Sequence, residues 1–284
     1  MSYSITVAAP DDPSAVRPTG MRTLKRQRPE RIALQIAAVL ACLGVWHVVT
    51  LLKLNLGFIT FHNVPTPVDV ARGGWDFLTS STAAKHVLAS LRRVGIGFGL
   101  ATIVGVVTGM LAGRYWPFRS VVMPPLEIIR PIPAVAWIPL AILMFPSSEA
   151  SMVFITFIGA LFPILLNTAH GAEAVDPRLV ASARSLGAGG AQTFREVVFP
   201  GALPNIITGL VIGIGTAWFC LVTAEMISGQ FGIGYFTWMS YTVQDYRGTV
   251  VGMILIGILG LGSSLLVRRL GDAVTPWRRL DRKQ

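Results

Sequence analysis

Asp176-Pro177-Arg178-Leu179-Val180-Ala181-Ser182-Ala183-Arg184-Ser185-Leu186-Gly187-Ala188-Gly189-Gly190 lies between two long charge-free runs, Ala150–Ala172 and Val197–Ala224. The architecture turns on this stretch. Asp176 can cap free backbone N–H groups and Pro177 suits a first helical position, so a helix starts here. Leu179, Val180, Ala183, Leu186 and Gly187 follow at spacings that place an apolar stripe on one face. The glycines from Gly187 onward end that helix, and a second short helix over Gln192–Val198 is expected to stop at Pro200. A compact helix–turn–helix, about residues 171–201, therefore hangs between two bilayer-length segments. Its stripe is too small to form a core alone. Either it packs on the ends of the protein's own helices, or it is a docking knob for a partner.

Outward from this loop the chain is strongly apolar. Of 284 residues, 52% are hydrophobic and 13% charged, with mean hydropathy +0.61. A soluble domain carries about a quarter charged residues, and so apolar a chain cannot stay dispersed as a disordered one. A membrane span needs roughly 20 apolar residues in a helix. Six charge-free windows approach or pass that length: Ala33–Leu52, Val94–Gly113, Pro131–Ser148, Ala150–Ala172, Val197–Ala224 and Gly248–Val267. The third begins earlier, near Arg119, because Val121–Leu126 is also apolar. A further charge-free stretch, Met226–Gln244, is rich in Ser, Gly, Thr and Gln. Irregular backbone at membrane depth survives only where protein or water covers it, so this stretch reads as a partly re-entrant or surface segment.

Charge sets the orientation. The net charge is +10, with 24 Lys+Arg against 14 Asp+Glu. Six of the basic residues fall in 1–31 and six in 268–284. With six spans and a cytoplasmic N-terminus, 17 Lys/Arg lie inside, in the two tails, at Arg114 and Arg119, and in the loop with Arg178, Arg184 and Arg195. A seventh span would export the basic C-terminal tail, against the positive-inside rule. The expected organisation is a cytoplasmic tail over 1–31, a transmembrane region over 32–267 and a second cytoplasmic tail over 268–284. The first helix reads as uncleaved, since the residues after it offer no small-residue cleavage site. Lys53 to about Lys85 then forms an external loop. The basic tails obey topology and present no basic stripe with exposed aromatics, so nucleic acid is not an expected partner; the lipid membrane is.

Chemistry-bearing constellations are sparse. Cys42 and Cys220 sit in apolar runs, the four histidines do not cluster, and no metal-ligand spacing or catalytic grouping occurs. A P-loop needs a Gly-Lys pair to cradle phosphates, and none of Lys25, Lys53, Lys85 or Lys283 follows a glycine. This chain cannot hydrolyse ATP by that route.

Ala181-Ser182-Ala183-Arg184-Ser185-Leu186-Gly187-Ala188, followed by Val197-Val198-Phe199-Pro200-Gly201-Ala202-Leu203-Pro204, resembles the "EAA" loop of ABC-importer permeases. Pro125-Leu126-Glu127-Ile128-Ile129-Arg130-Pro131-Ile132-Pro133 and Trp137-Ile138-Pro139-Leu140 are similar to the third-span signature of the nitrate/sulfonate/taurine branch. Pro65-Thr66-Pro67, Ser90-Leu91-Arg92-Arg93-Val94 with Gly97-Phe98, and Met253-Ile254-Leu255-Ile256-Gly257 extend the resemblance over about residues 30–280. It implies an all-α, six-span permease of the type I importer (MetI-like) fold in a bacterial inner membrane, working as a dimer, a homodimer being expected. Cytoplasmic ATPase subunits would bind ATP and Mg, and an external binding protein would deliver a small solute. Leu179, Val180, Ala181, Ser182, Ala183, Arg184, Leu186, Gly187 and Ala188 would form the ATPase-coupling helix, and Pro200, Gly201 and Pro204 would close the loop. Ala181 stands where the motif usually has Glu. No cofactor is expected in this chain itself.

Within the spans, Gly105, Gly109 and Gly113 make a bare stripe that lets another helix approach, and Gly209 and Gly213 do the same. Pro131, Pro133 and Pro139 should break the third span. Glu127 and Arg130 can pair three residues apart, or meet an anionic solute. Glu225 reads as a solvated carboxylate near the external face, with a role at the gate as the alternative. Glu127, Arg130, Pro131, Pro133 and Glu225 are thus the candidates for the translocation path or gate. A stand-alone secondary transporter or channel is the rival. It predicts paired half-repeats and buried mid-span charges, neither of which stands out here.

Overall fold

A computed structural model describes residues 27–277; the basic segments at 1–26 and 278–284 lie outside the described residues. The chain divides into two units, 1–67 and 68–284. In the first, α1 (Gln27–Leu51) is apolar, and its Leu34, Val39, Leu40 and Val45 are exposed, as lipid contact requires.

The second unit is helical among the described residues. It runs α2 (Pro67–Thr79), α3 (Ala83–Arg114), α4 (Trp116–Ile129), a 3₁₀ turn (Ala134–Trp137), α5 (Ile138–Met144) and α6 (Ser148–Glu173). Then come α7 (Pro177–Ser185), α8 (Gly190–Thr193), α9 (Phe199–Ser228), α10 (Ile233–Thr242) and α11 (Tyr246–Val274). Among the described residues, five helices are long and apolar enough to cross a membrane, and a sixth crossing results if α4 and the Ala134–Met144 segment count as one bent span.

The glycine stripes decide the packing. α6 lies between α3 and α9 and packs along both. On the α3 side, a Cβ at Gly97 would meet Thr156 at 2.7 Å, one at Gly105 would meet Ile164 at 2.9 Å, and one at Gly109 would meet the Leu165 carbonyl at 2.6 Å. Gly113 sits as tightly against Ala169 and Ala172. On the α9 side, Gly209 faces Asn167 and Pro163, and Gly213 faces Ile164 and Ala160. Without a hydrophobic drive between helices in lipid, such close backbone approach supplies the dispersion that holds them. Ala101, Ala160, Ile164 and Ala217 fill the centre of this sandwich.

Several boundaries depart from expectation. The helix of the second span starts at Ala83, ahead of the charge-free window from Val94, so Arg92 and Arg93 lie within it. The third span is broken as expected, with a bend of 84°. Pro131 and Pro133 occupy the break itself, whereas Pro139 lies in the first turn of α5, where its missing N–H is no loss. Pro200 does not stop a helix. A π turn over Phe194–Val198 widens the backbone, and the chain continues into α9 with Pro200 in its first turn. Arg268 and Arg269 continue α11 past the last apolar window, to Val274. Met226–Gln244 becomes the end of α9, a loop and the 10-residue α10, too short to span.

Gly109→Leu is expected to destabilise the detergent-purified protein by about 1–3 kcal/mol through overpacking. Gly99→Leu, at a position where a Cβ would have no atom within 4 Å, should leave the thermal transition unmoved. Fluorescence-detected thermal denaturation of both variants checks the contrast.

Candidate functional site

Two regions, at opposite ends of the α3–α6–α9 sandwich, concentrate chemistry. The first is the knob between α6 and α9. Asp176 caps α7, its Oδ1 accepting from the Arg178 N–H at 2.8 Å. The helix closes at Gly187, whose φ of +87° is left-handed. The Gly187 N–H donates to the Arg184 carbonyl at 2.9 Å and the Ala188 N–H to the Ala183 carbonyl at 3.0 Å, the paired bonds of a glycine-terminated helix. The stripe splits in two. Val180 turns inward and packs against the cluster of Met110, Ala172, Val198, Ala202 and Ile206. Leu179 and Leu186 turn outward, 57% and 89% exposed. One face of the helix thus packs on the protein's own helix ends, and the other stays uncovered.

Beneath the knob a cleft of about 450 Å³ opens between α7 and the ends of α3 and α6, lined in part by Arg114, Glu173, Ala181 and Arg184. Ala181 gives it no carboxylate. Glu173 is held by Arg119 of α4, which fastens the start of the bent span to the end of α6.

The second region lies at the far end and was largely missed in the sequence. His86, Ser90 and Arg93 share one face of α3. Arg93 Nη1 donates to Glu225 Oε1 at 2.8 Å, Arg93 Nε donates to Glu149 Oε2 at 3.1 Å, and Arg93 Nη2 also donates to Glu149. Ser90 Oγ donates to the Glu225 carboxylate at 2.8 and 3.0 Å, and the Gly234 N–H donates to Glu225 Oε2 at 2.9 Å. Ser90 Oγ in turn accepts from the Ile233 N–H at 2.9 Å. The Phe231 carbonyl accepts from Arg93, and His86 Nδ1 lies 2.9 Å from the Gly232 carbonyl oxygen. Gly232 has φ +137°, and a Cβ there would strike the Glu225 carboxyl group, so only glycine fits.

Glu225 is not solvated: it is 0% exposed. A buried carboxylate must be paired and hydrogen-bonded, and three donors, Ser90, Arg93 and the Gly234 N–H, meet that demand. The expected Glu127–Arg130 pair is absent; α4 ends at Ile129, between them, and both side chains are exposed on the chain. Arg130, Pro131 and Pro133 gather at the break of the bent span, apart from Glu225.

Residues 105–280 match the family of binding-protein-dependent transport system inner membrane components. A nitrate import permease of Synechocystis sp. is 34% identical over 223 residues, 75% of this chain and 81% of that protein. A bicarbonate transport system permease of Synechococcus elongatus is 33% identical over 254 residues, 86% of this chain and 90% of that one. The chain belongs to this family of ABC-importer permeases. Its fold agrees with that of a methionine ABC transporter chain (TM-score 0.55, 20% identity, 68% of this chain and 95% of that chain). An amino acid ABC transporter chain also matches (TM-score 0.53, 19% identity, 68% and 92%).

The permease is thus a multi-pass transport subunit of the MetI-like fold, and a self-sufficient secondary transporter is not favoured. The far-end cluster had a signal in the sequence. His86, Ser90 and Arg93 are spaced by four and three on a helix that becomes purely apolar after Val94, which marks a polar face looking for partners. Glu149 and Glu225 open and close other helices, and nothing in one sequence pairs them with that face.

Arg93→Met would leave the Glu225 carboxylate buried without its cation. A loss of about 3–5 kcal/mol is expected, read as a fall in the monodisperse fraction on size-exclusion chromatography from the native membrane.

Proposed function

We propose that this permease forms, with a second copy of itself, the translocation path of an ATP-driven importer in a bacterial inner membrane, for a small oxyanion of the nitrate, sulfonate or bicarbonate class. The geometry of α7 is the observation that carries the coupling part of this reading. A helix capped at both ends, anchored by Val180 and presenting Leu179 and Leu186 outward, suits insertion into an apolar groove of a cytoplasmic ATPase, which would hold the ATP and Mg. Leu179, Val180, Ala181, Ser182, Ala183, Arg184, Leu186, Gly187 and Ala188 make up this coupling helix. Pro200 and Pro204 lie in the first turns of α9 behind it, and Gly201 lets Val175 pack closely there. The charge distribution supports a cytoplasmic position for this end, and an external binding protein would then meet the α10 end. Relatives named for nitrate and bicarbonate support the solute class. Arg130, exposed at the break formed by Pro131 and Pro133, is the cation we assign to the path, with Glu127 one turn before it.

Closure of the ATPases on ATP would draw the two coupling helices together and swing the bundles between inward- and outward-facing states. No covalent chemistry occurs in this chain.

Affinity purification of the tagged permease from its native membrane tests the reading. A copurifying P-loop ATPase is expected with the wild type. It should be lost with Leu186→Glu, which alters only an exposed side chain, and with Gly187→Arg, which also strains the left-handed turn. A wild-type chain that emerges alone even after crosslinking would sink the coupling role.

A further inference from the structure

The long helices of the permease join its two chemically rich ends. α3 is unbroken over 32 residues, about 48 Å at 1.5 Å per residue. Its last turns share a cluster with the inward face of the coupling helix, through Met110 and Val180. Its first turns carry His86, Ser90 and Arg93. Between these, Gly97, Gly105, Gly109 and Gly113 press α3 on α6, and Gly209 and Gly213 press α9 on the other side of α6. Contacts of this closeness do not slide without repacking, so α3, α6 and α9 form one block that moves as a unit.

α10 also packs closely, with Gly234 against Val222 of α9 and Thr237 against Gly252 of α11, and adds a polar seat at its start. It joins α9 through a loop, Gly229–Gly232, with a glycine at each end, and α11 through Val243–Asp245. Its start is seated on the block by the backbone of Phe231, Gly232, Ile233 and Gly234, bound in turn by Arg93, His86, Ser90 and Glu225. Arg93 is the centre of this seat. Its planar fork serves Glu225 of α9 and Glu149 of α6 at once while also donating to the Phe231 carbonyl. A lysine, with a single ammonium, cannot reproduce that bridge. The two acids are unequal: the Glu225 side chain is 0% exposed and the Glu149 side chain 57%.

We infer that Arg93 is a positioning residue that pins the start of α10 to the α3–α6–α9 block, so that displacement of the coupling helix is delivered to α10 at the opposite face of the permease. The inference rests on the coupling role proposed for α7 and adds the residue through which the far end follows. The warrant is physical continuity of packed helices plus one polar joint. The exposed Glu149 arm is the half of the joint that can be released without stranding a buried charge.

The test uses the full permease purified with its ATPase, with Cys42→Ala removing the exposed thiol. Thr237→Cys is a reporter on the buried face of α10, packed against Gly252 of α11 and exposed when α10 leaves its place, and native Cys220, buried in α9, reports core integrity. In the otherwise wild-type background both thiols should react slowly with a membrane-permeant maleimide. Adding Glu149→Gln or Arg93→Lys should raise labelling at position 237 between about threefold and thirtyfold, the range of coupling changes seen along such networks. Cys220 should stay protected and the ATPase should still copurify. Glu149→Asp, which keeps the charge, should lie between wild type and Glu149→Gln.

Unchanged labelling at 237 in both variants overturns the inference. So does a parallel rise at Cys220, or loss of the ATPase, since either makes the joint a general fold determinant. Absence of the ATPase from the wild-type preparation would count against the coupling reading instead, and the labelling contrast remains readable without it.

Discussion

Ile164 is fully buried and touches both neighbours of its helix: a Cβ at Gly105 of α3 or at Gly213 of α9 would collide with it. Close approach to a bare glycine backbone recurs along α6, at Thr156, Leu165 and Ala169 on the α3 side and at Asn167 and Ala160 on the α9 side. In lipid, helices gain nothing from hiding apolar surface from water, so attraction must come from the density of contact. Glycine at every fourth position of α3 brings the backbones together, and α6 supplies the bulk that fills the space between. The resulting block is stiff, and the remaining elements are defined by how they attach to it. α4 does so at one end through Arg119 and Glu173, α7 through Val180, and α10 through Arg93.

The charged cluster at the far end is tolerated for the same reason. Moving an arginine and a glutamate out of water costs several kcal/mol per ion. It is recovered only where every donor and acceptor is used and the geometry cannot relax away. The Glu225 carboxylate takes bonds from Ser90, Arg93 and the Gly234 N–H. Gly232, at φ +137°, lets the loop backbone fold over that carboxylate with no side chain in the way. The cost of the cluster thus becomes a requirement for one loop conformation. Burial of the ions contributes specificity of placement rather than stability.

The reading from sequence succeeded where one segment carries its own signal. The capped α7, its glycine stop, the stripe of Gly105, Gly109 and Gly113 and the proline break of the third span are all local patterns, and each has its counterpart in the structure. It failed where the partner lies far along the chain. Glu225 looked solvated because its neighbours in sequence are polar and glycine-rich, while Ser90 and Arg93, which bury it, are more than 130 positions away. The charge-free window of the second span begins after Arg93, at Val94, whereas a paired charge need not end a span. Glu127 and Arg130 look like a pair from their spacing, and Arg130 does keep helical backbone geometry, yet both side chains are exposed and do not form an ion pair. Pro200 looked like a stop because a π turn, which accommodates it, leaves no mark in composition.

The departure at Ala181 bears on how α7, in the coupling role proposed for it, would hold an ATPase. A glutamate there would place a carboxylate in the cleft beside Arg114 and Arg184; alanine leaves the cleft with Glu173, which Arg119 already engages. Exposed ion pairs contribute about 0–1 kcal/mol each, while burying an exposed leucine contributes about 1.5–3 kcal/mol. With Leu179 and Leu186 both outward, the apolar contribution outweighs the missing pair. On the coupling role proposed for α7, docking would depend on shape at two leucines and on the turn at Gly187 that sets the second of them. Because Val180 ties the other face of α7 to the ends of α3 and α6, force applied at those leucines reaches the block directly, through packed side chains and not through a flexible loop.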